Sequence, residues 1–450
     1  MKKRALSILL TTAMVAAMFT GCGNKTTGGD DKTAGSVSNG GKVLNIYCWN
    51  NEFRNRIKDH YSKYETTDDE MVGKIGDVTV KWHETPNAEN AYQNALDLAL
   101  MDQAYAAADD KVDMFLVEAD YALKYVDSSV TANVKDLGIT DADLANQYQY
   151  TKDVVTDGSG AIKGVTWQAC PGLLFYNREA CKDIWGTDDP AEIQEKVKDW
   201  DTFMASAAEA KEAGYTMVSS VNDTYRVYSN NVSSKWAVDG KINIDANIKK
   251  WVDDSKAMVD AGYAGTHALW GDDWNKGFYP DGNVVCYFGP AWFVNFSMAN
   301  NVETSIAYNG GWGATEGPQS FFWGGTWICA ATGTDNADEI KDIMLTMTTD
   351  ATVMKGIVEK DNDFVNNKPA MEEMAKSAYE CAPLGGQNPL PMYVAATEAI
   401  DLKNLSAYDQ GCNEQFQNAM KDYFEGNATY DEALDTFYSK AIAKYPALSK

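Results

Sequence analysis

The chain has 450 residues, 45% hydrophobic and 23% charged, an ordinary globular composition with length for two or three domains and a sizeable core. Asp and Glu number 65 against 39 Lys and Arg, so the formal charge is −26 and no basic surface is expected to hold nucleic acid through its phosphates. Aromatic residues reach 12%, with 13 Trp and 24 Tyr, more than packing alone usually needs.

Lys2, Lys3 and Arg4 precede an apolar run from Ala5 to Phe19, the charged and hydrophobic regions of a secretory signal. The run falls short of the roughly 18 apolar residues that a spanning helix needs. It ends in Phe19-Thr20-Gly21-Cys22, which resembles a bacterial lipobox, although Phe19 stands where Leu is usual. This reading makes residues 1–21 a lipoprotein signal and Cys22 the diacylated residue, with two acyl chains as a stable anchor. Residues 22–41 are rich in Gly, Ser, Thr and charge and read as a flexible tether. The mature protein is then expected outside the cell membrane, attached through lipid only.

The body reads as alternating strands and helices, hence α/β. Strands are expected at 43–49 and 78–82, a helix between 87 and 107 on the stripe Tyr92, Leu96, Ala99 and Leu100, and a strand at 112–117. Further strands follow at 162–167 and 172–176. Trp200, Phe203, Met204, Ala207 and Ala208 mark a helix stopped by Gly214, and Ile248, Trp251, Val252, Ser255 and Val259 one ending at Gly262. Strands at 284–288 and 325–331 precede a helix carrying Ile340, Ile343, Met344 and Met347. Phe416, Met420, Tyr423 and Phe424 form a penultimate helix stopped by Gly426, and Thr429 with Glu432 makes a capping box for the last.

No P-loop, GxSxG, HExxH or GxGxxG pattern is present. Asp361-Asn362-Asp363 with Glu372 imitates a calcium loop, but Asn366 stands where its tight turn needs Gly. His60, His83 and His267 do not approach zinc-ligand spacing. No metal or other cofactor is expected. The seven Cys after Cys22 are odd in number, include no CxxC, and lie partly in apolar runs, as buried thiols do.

Several segments in order resemble one family. VLNIYCWN is similar to its first strand, KVDMFLVEADYALKY to its Asp-led hydrophobic strand, and IKGVTWQACPGLLFYNREA to its crossover strand. DWDTFMASAAEAKEAGY, NVVCYFGPAWF, FFWGGTWICAATGT and DYFEGNATYDEALDTF match later segments. The chain thus resembles the extracellular solute-binding proteins of bacterial carbohydrate ABC importers, the maltose-binding-protein-like group. The resemblance implies a two-lobed, periplasmic-binding-protein-like type II fold with a hinge and an interlobe cleft. Residues 42–167 and 325–377 would form the N-terminal lobe, and 168–324 and 378–450 the C-terminal lobe. The implied partners are a carbohydrate and the permease of an ABC transporter, with the protein itself a monomer and not an enzyme.

Ligands of α/β sheets sit at loops beyond the carboxyl ends of strands. Those loops supply Trp49, Asn50, Asn51 and Glu52, then Glu84, then Glu118 and Asp120, and at the crossover Trp167 and Gln168. The second lobe would add Trp270, Asp272, Trp274, Trp292 and Trp323, with Gly324 and Gly325 allowing close backbone approach or hinge motion. A sugar offers apolar faces and a rim of hydroxyls, which flat rings and planar carboxylates or amides match. The same loops carry essentially no Arg, as an anionic solute would require. Core packing is the competing role for each Trp, and helix capping for Asp120 and the Asn50–Glu52 turn. Peptide or polyamine in the same fold, an exported glycoside hydrolase or lyase, and a structural surface protein are the alternative functions.

Overall fold

The computed structural model describes residues 36–450. The expected signal, Cys22 and most of the tether lie outside the described residues. A large mixed sheet takes β1 (Val43–Cys48), β2 (Tyr64–Thr66), β3 (Val72–Ile75), β4 (Val78–Glu84), β5 (Met114–Glu118) and β6 (Gly164–Thr166). The chain then builds a second sheet from β7 (Gly172–Asn177) and β8 (Thr216–Val218), with a separate hairpin of β9 (Ala237–Val238) and β10 (Lys241–Ile242). β11 (Val284–Pro290) and β12 (Trp312–Thr315) complete that sheet, and β13 (Thr326–Ala330) returns to the first. The orders are β2-β3-β4-β1-β5-β13-β6 and β12-β7-β11-β8. β1 is parallel to β4 and β5, as short helical connections between them require, whereas β13 is antiparallel to both neighbours. β5 and β11 are apolar along nearly their whole length because both faces of each are covered. The result is the α/β, two-domain architecture that the resemblance implies.

The hinge has a readable construction. Segment 167–171, which carries the chain from β6 to β7, is paired along both edges. On one side Asn366 N donates to Trp167 O at 2.7 Å and Ala169 N to Phe364 O at 3.1 Å. On the other, Trp323 N donates to Cys170 O at 3.3 Å and Gly172 N to Phe321 O at 2.8 Å. Crossing chains hydrogen-bonded in this way can twist together, yet none can slide alone.

Expected and observed elements agree closely where a stripe is regular. Trp200–Glu212, Ala246–Ala261, Ala337–Thr349 and Asp409–Phe424 are helices, Gly262 caps its helix at φ +70°, and the Thr429–Glu432 capping box forms. The helix expected between 87 and 107 is shorter, Ala91–Asp102. Its stripe is cut off because the Gln103 amide turns to hold both Val112 N (2.8 Å) and Val112 O (2.7 Å) at the entry to β5. The helix Glu52–His60 and the β2–β3 hairpin were not legible: the first has only Phe53 and Ile57 as an apolar pair, and the second is an exposed edge.

Cys48, Cys170, Cys181, Cys286, Cys329, Cys381 and Cys412 are all buried and free. Burial pushes the thiols of Cys48, Cys381 and Cys412 up to about 12. These seven should stay unmodified by maleimide in the native protein and react together on unfolding; a fast native reaction traced to any of them by mass spectrometry would contradict this packing.

Candidate functional site

The carboxyl ends of β1 and β5 form one wall of a cleft between the two sheets. Beyond β1, Trp49 packs edge-on against Tyr92 and Tyr121 at 5.6 and 6.4 Å between ring centres. Asn50 accepts from Glu52 N at 3.1 Å and shapes the turn, and exposed Asn51 starts the helix without a side-chain cap bond. Glu52 accepts from Gln168 Nε2 at 3.1 Å and lies 3.5 Å from Arg56, whose other nitrogen holds Asp361 at 2.8 Å. Burial, opposed by Arg56, pushes the Glu52 carboxyl up to about 7. Beyond β5, Glu118 accepts from Asp120 N at 2.9 Å and is pushed up to about 8 by burial and by the Asp120 charge. Asp120 itself is gripped by both terminal nitrogens of Arg226, one at 2.7 Å.

The facing wall is aromatic. The helix Ala291–Phe296 follows β11 directly and carries Trp292, whose Nε1 donates to Trp323 O at 3.2 Å. Ring centres run Trp270–Trp323 at 5.6 Å, Trp323–Trp292 at 5.4 Å and Trp292–Phe296 at 6.1 Å. Trp270 and Phe296 are 45% and 61% exposed, so the ends of this strip are open while Trp323 supports it from beneath. Gly324, at φ +70°, passes so close under Trp292 that an added Cβ would lie 3.2 Å from the ring; Gly325, at φ +99°, passes against Cys170 and Trp327. Arg226 lies over the Trp323 ring at 5.9 Å.

Several expected site residues are placed elsewhere. Trp167 is completely buried and stacked on Phe53 at 5.3 Å, and Trp274 is completely buried with its Nε1 donating to Asp223 at 2.7 Å. Neither ring offers a face to the cleft: Trp167, just beyond β6, turns inward onto Phe53, and Trp274 is the buried residue of the short helix Asp272–Asn275. Gln168 is also buried and fully used, donating to Glu52 and Asp363 (3.0 Å) and accepting from Thr326 N (3.1 Å). It ties the crossing segments and does not line open space. Glu84 is engaged by Arg54 at 3.4 Å. Asp272 is exposed in the first turn of a short helix, Asp272–Asn275. The calcium-like stretch is otherwise employed: Asp361 pairs with Arg56 and His60 (3.0 Å), and Asp363 with Gln168. Among the described residues no group of three or more His, Cys, Asp or Glu is placed to hold a metal ion.

Arg226 and Arg56 were the missed residues. Arg226 belongs to a short helix, Tyr225–Ser229, with no pattern that marks it, and its partner lies 106 positions away. Asp409, at the start of Asp409–Phe424, is a third. It is pushed up to about 7 by burial and by the nearby Asp120 charge, and accepts from Ser406 Oγ at 2.5 Å. Contacts cross the cleft at Asp120–Arg226, at Gln93–Gln410 (3.2 Å), and at Asn295, which donates to Asp361 O and accepts from Asn362 at 3.1 Å. The walls therefore touch, and the cavity beside Asp120 and Arg226, which Asp409 and Asn404 also line, measures about 40 Å³.

Two sheet domains, a crossed-segment hinge and a cleft with rings on one wall and polar groups on the other define the class of two-lobed solute-binding proteins. The chain belongs to the bacterial extracellular solute-binding protein family, whose model matches residues 69–379. It is accordingly an exported binding protein. Among solved structures it is similar to an extracellular solute-binding protein of family 1, with TM-score 0.70 and 18% identity over 89% of this chain and 99% of that one. It is also similar to an ABC-transporter-associated binding protein of B. animalis subsp. lactis in complex with β-1,6-galactobiose (TM-score 0.65, 19% identity, 91% and 99% covered). A third is the galacto-N-biose/lacto-N-biose I-binding protein of Bifidobacterium longum (TM-score 0.66, 14% identity, 92% and 97% covered). No curated protein matches the chain in sequence.

Proposed function

We propose that the protein captures an extracellular oligosaccharide between its lobes and delivers it to the permease of an ABC transporter, binding without turnover. The observation that carries this reading is the strip Trp270–Trp323–Trp292–Phe296, successive rings with centres 5.4–6.1 Å apart along one wall. Such a strip suits the apolar faces of linked sugar rings, and the polar rim at Asn50, Glu118 and Asp120 suits their hydroxyls. Two of the structural neighbours named above are described with bound or cognate disaccharides, which supports the same class. Residues 42–167 with 325–377 and 168–324 with 378–450 are the proposed lobes. Ligand bridging both would stabilise the closed state. In the same reading, diacylated Cys22 anchors a monomer to the outer face of the membrane. A polyamine is the second reading, favoured by the crowding of Glu118, Asp120 and Asp409 about a single guanidinium.

Thermal unfolding against a panel of oligosaccharides, monosaccharides, peptides and polyamines tests both. A ligand at 100 times its dissociation constant should add roughly 2.7 kcal/mol. Stabilisation by one oligosaccharide series, with the sugar recovered unchanged, is the expected result; stabilisation by polyamines alone would replace it with the second reading. Trp292→Ala should then weaken that sugar by about 2 kcal/mol in calorimetry, the size of a central aromatic anchor. Unchanged affinity would remove Trp292 from the site.

A further inference from the structure

Arg226 spans the cleft, neutralises a carboxylate of the opposite wall and covers a ring of the proposed sugar platform. Its guanidinium grips Asp120 through both terminal nitrogens and lies 5.9 Å over Trp323. Side-chain exposure of the pair is 18% and 17%. Its charged neighbours are acidic: Asp120, Glu118 beside it, and Asp409. No second cation from the described residues is ion-paired with Glu118 or Asp120, so the Asp120 charge depends on Arg226. The guanidinium thus covers two groups of the proposed site at once, the Asp120 carboxylate and the Trp323 ring.

We propose that Arg226 is an internal latch that occupies the ligand position: it holds the lobes together in the unliganded protein and must be displaced from Asp120 and Trp323 before ligand can use them. The proposal rests on the reading of this cleft as the ligand site. Its energetic consequence has a definite sign. A contact made only in the unliganded state stabilises the reference from which binding is measured, and so subtracts from the observed affinity. Removing it opens the unliganded protein and tightens binding. An ordinary structural or ligand-contacting arginine would do the reverse.

Two measurements on Arg226→Met test this. Small-angle scattering of the protein without any ligand should show a larger radius of gyration than the parent; equal values overturn the latch, whatever the ligand is. Calorimetry with the best ligand of the panel should show about tenfold tighter binding, and unchanged or weaker binding overturns the displacement step. Arg226→Lys, which keeps a single-point ion pair, should fall between the two in both measurements. Because the scattering arm uses no ligand, it tests the latch even if every sugar fails, an outcome that would sink the carbohydrate reading instead. Circular dichroism matching that of the parent identifies variants that have folded.

Discussion

Gln168→Leu should destabilise the protein by about 3 kcal/mol, since each buried polar group left without its partner costs about 1–3 kcal/mol. The Gln168 amide reaches three segments at once. Its nitrogen donates to Glu52 at 3.1 Å and to Asp363 at 3.0 Å, and its oxygen accepts from Thr326 N at 3.1 Å. Leucine fits the volume but takes a donor from Glu52 and from Asp363, which with Asp361 already share Arg56, and leaves one buried backbone N–H without an acceptor. Thr326 begins β13 immediately after the Gly324-Gly325 pair, so the damage falls where the crossing segment leaves the proposed N-terminal lobe, to which Glu52, Thr326 and Asp363 all belong. Equilibrium denaturation is therefore expected to show a lower midpoint and a less cooperative transition, the lobes losing their mechanical link before either core melts. A loss below about 1 kcal/mol would show that the paired backbone of 167–171 carries the hinge without this side chain.

Burial periodicity made individual helices and strands legible, whereas the lobes came from the family resemblance and the site candidates from strand ends. Regular stripes such as Trp251, Val252, Ser255 and Val259 report a helix packed on one side, and the structure has that helix. Strand ends could be located in the same way, which singled out Trp49, Asp120, Trp292 and Trp323 as candidates. What strand-end position cannot convey is the side on which a ring falls. Trp167, just past a strand, and Trp274, in the short helix Asp272–Asn275, are both wholly enclosed, one on Phe53 and one on Asp223. The arginines failed for a different reason. Arg56 is on a helix whose apolar signal is only Phe53 and Ile57, and Arg226 acquires its meaning from an aspartate in the other domain. Local spacing carries no information on such a pair. The loops read from the sequence carry essentially no Arg; the guanidinium at the cleft comes from the helix Tyr225–Ser229.

Stability should rise by on the order of a few kcal/mol as the pH falls from about 8 to about 5, the reverse of the usual acid response. Glu52, Asp223 and Asp409 are pushed up to about 7 and Glu118 to about 8, in each case first by burial. A carboxyl whose folded value lies above its unfolded one binds more protons when folded, so its contribution is complete below the ordinary carboxylate range and is lost as pH rises through the folded value. The net charge of −26 acts in the same direction, since protonation relieves self-repulsion. Below that range the sign reverses. Asp157, Asp188 and Asp342 are held low by hydrogen bonds and lysine or arginine neighbours that outweigh their partial burial, and Asp245 by hydrogen bonds alone, and their contribution disappears as they take up protons. The curve therefore has its maximum near the lower edge of this window, at about pH 5. Thermal unfolding from pH 3 to 9 at fixed ionic strength would trace it, and Glu118→Gln should flatten the alkaline limb while leaving the acid limb in place. A stability that climbs steadily from pH 5 to 8 would mean that these carboxylates are ionised and compensated in the folded protein, Glu118 and Asp409 through Arg226 and Glu52 through Arg56.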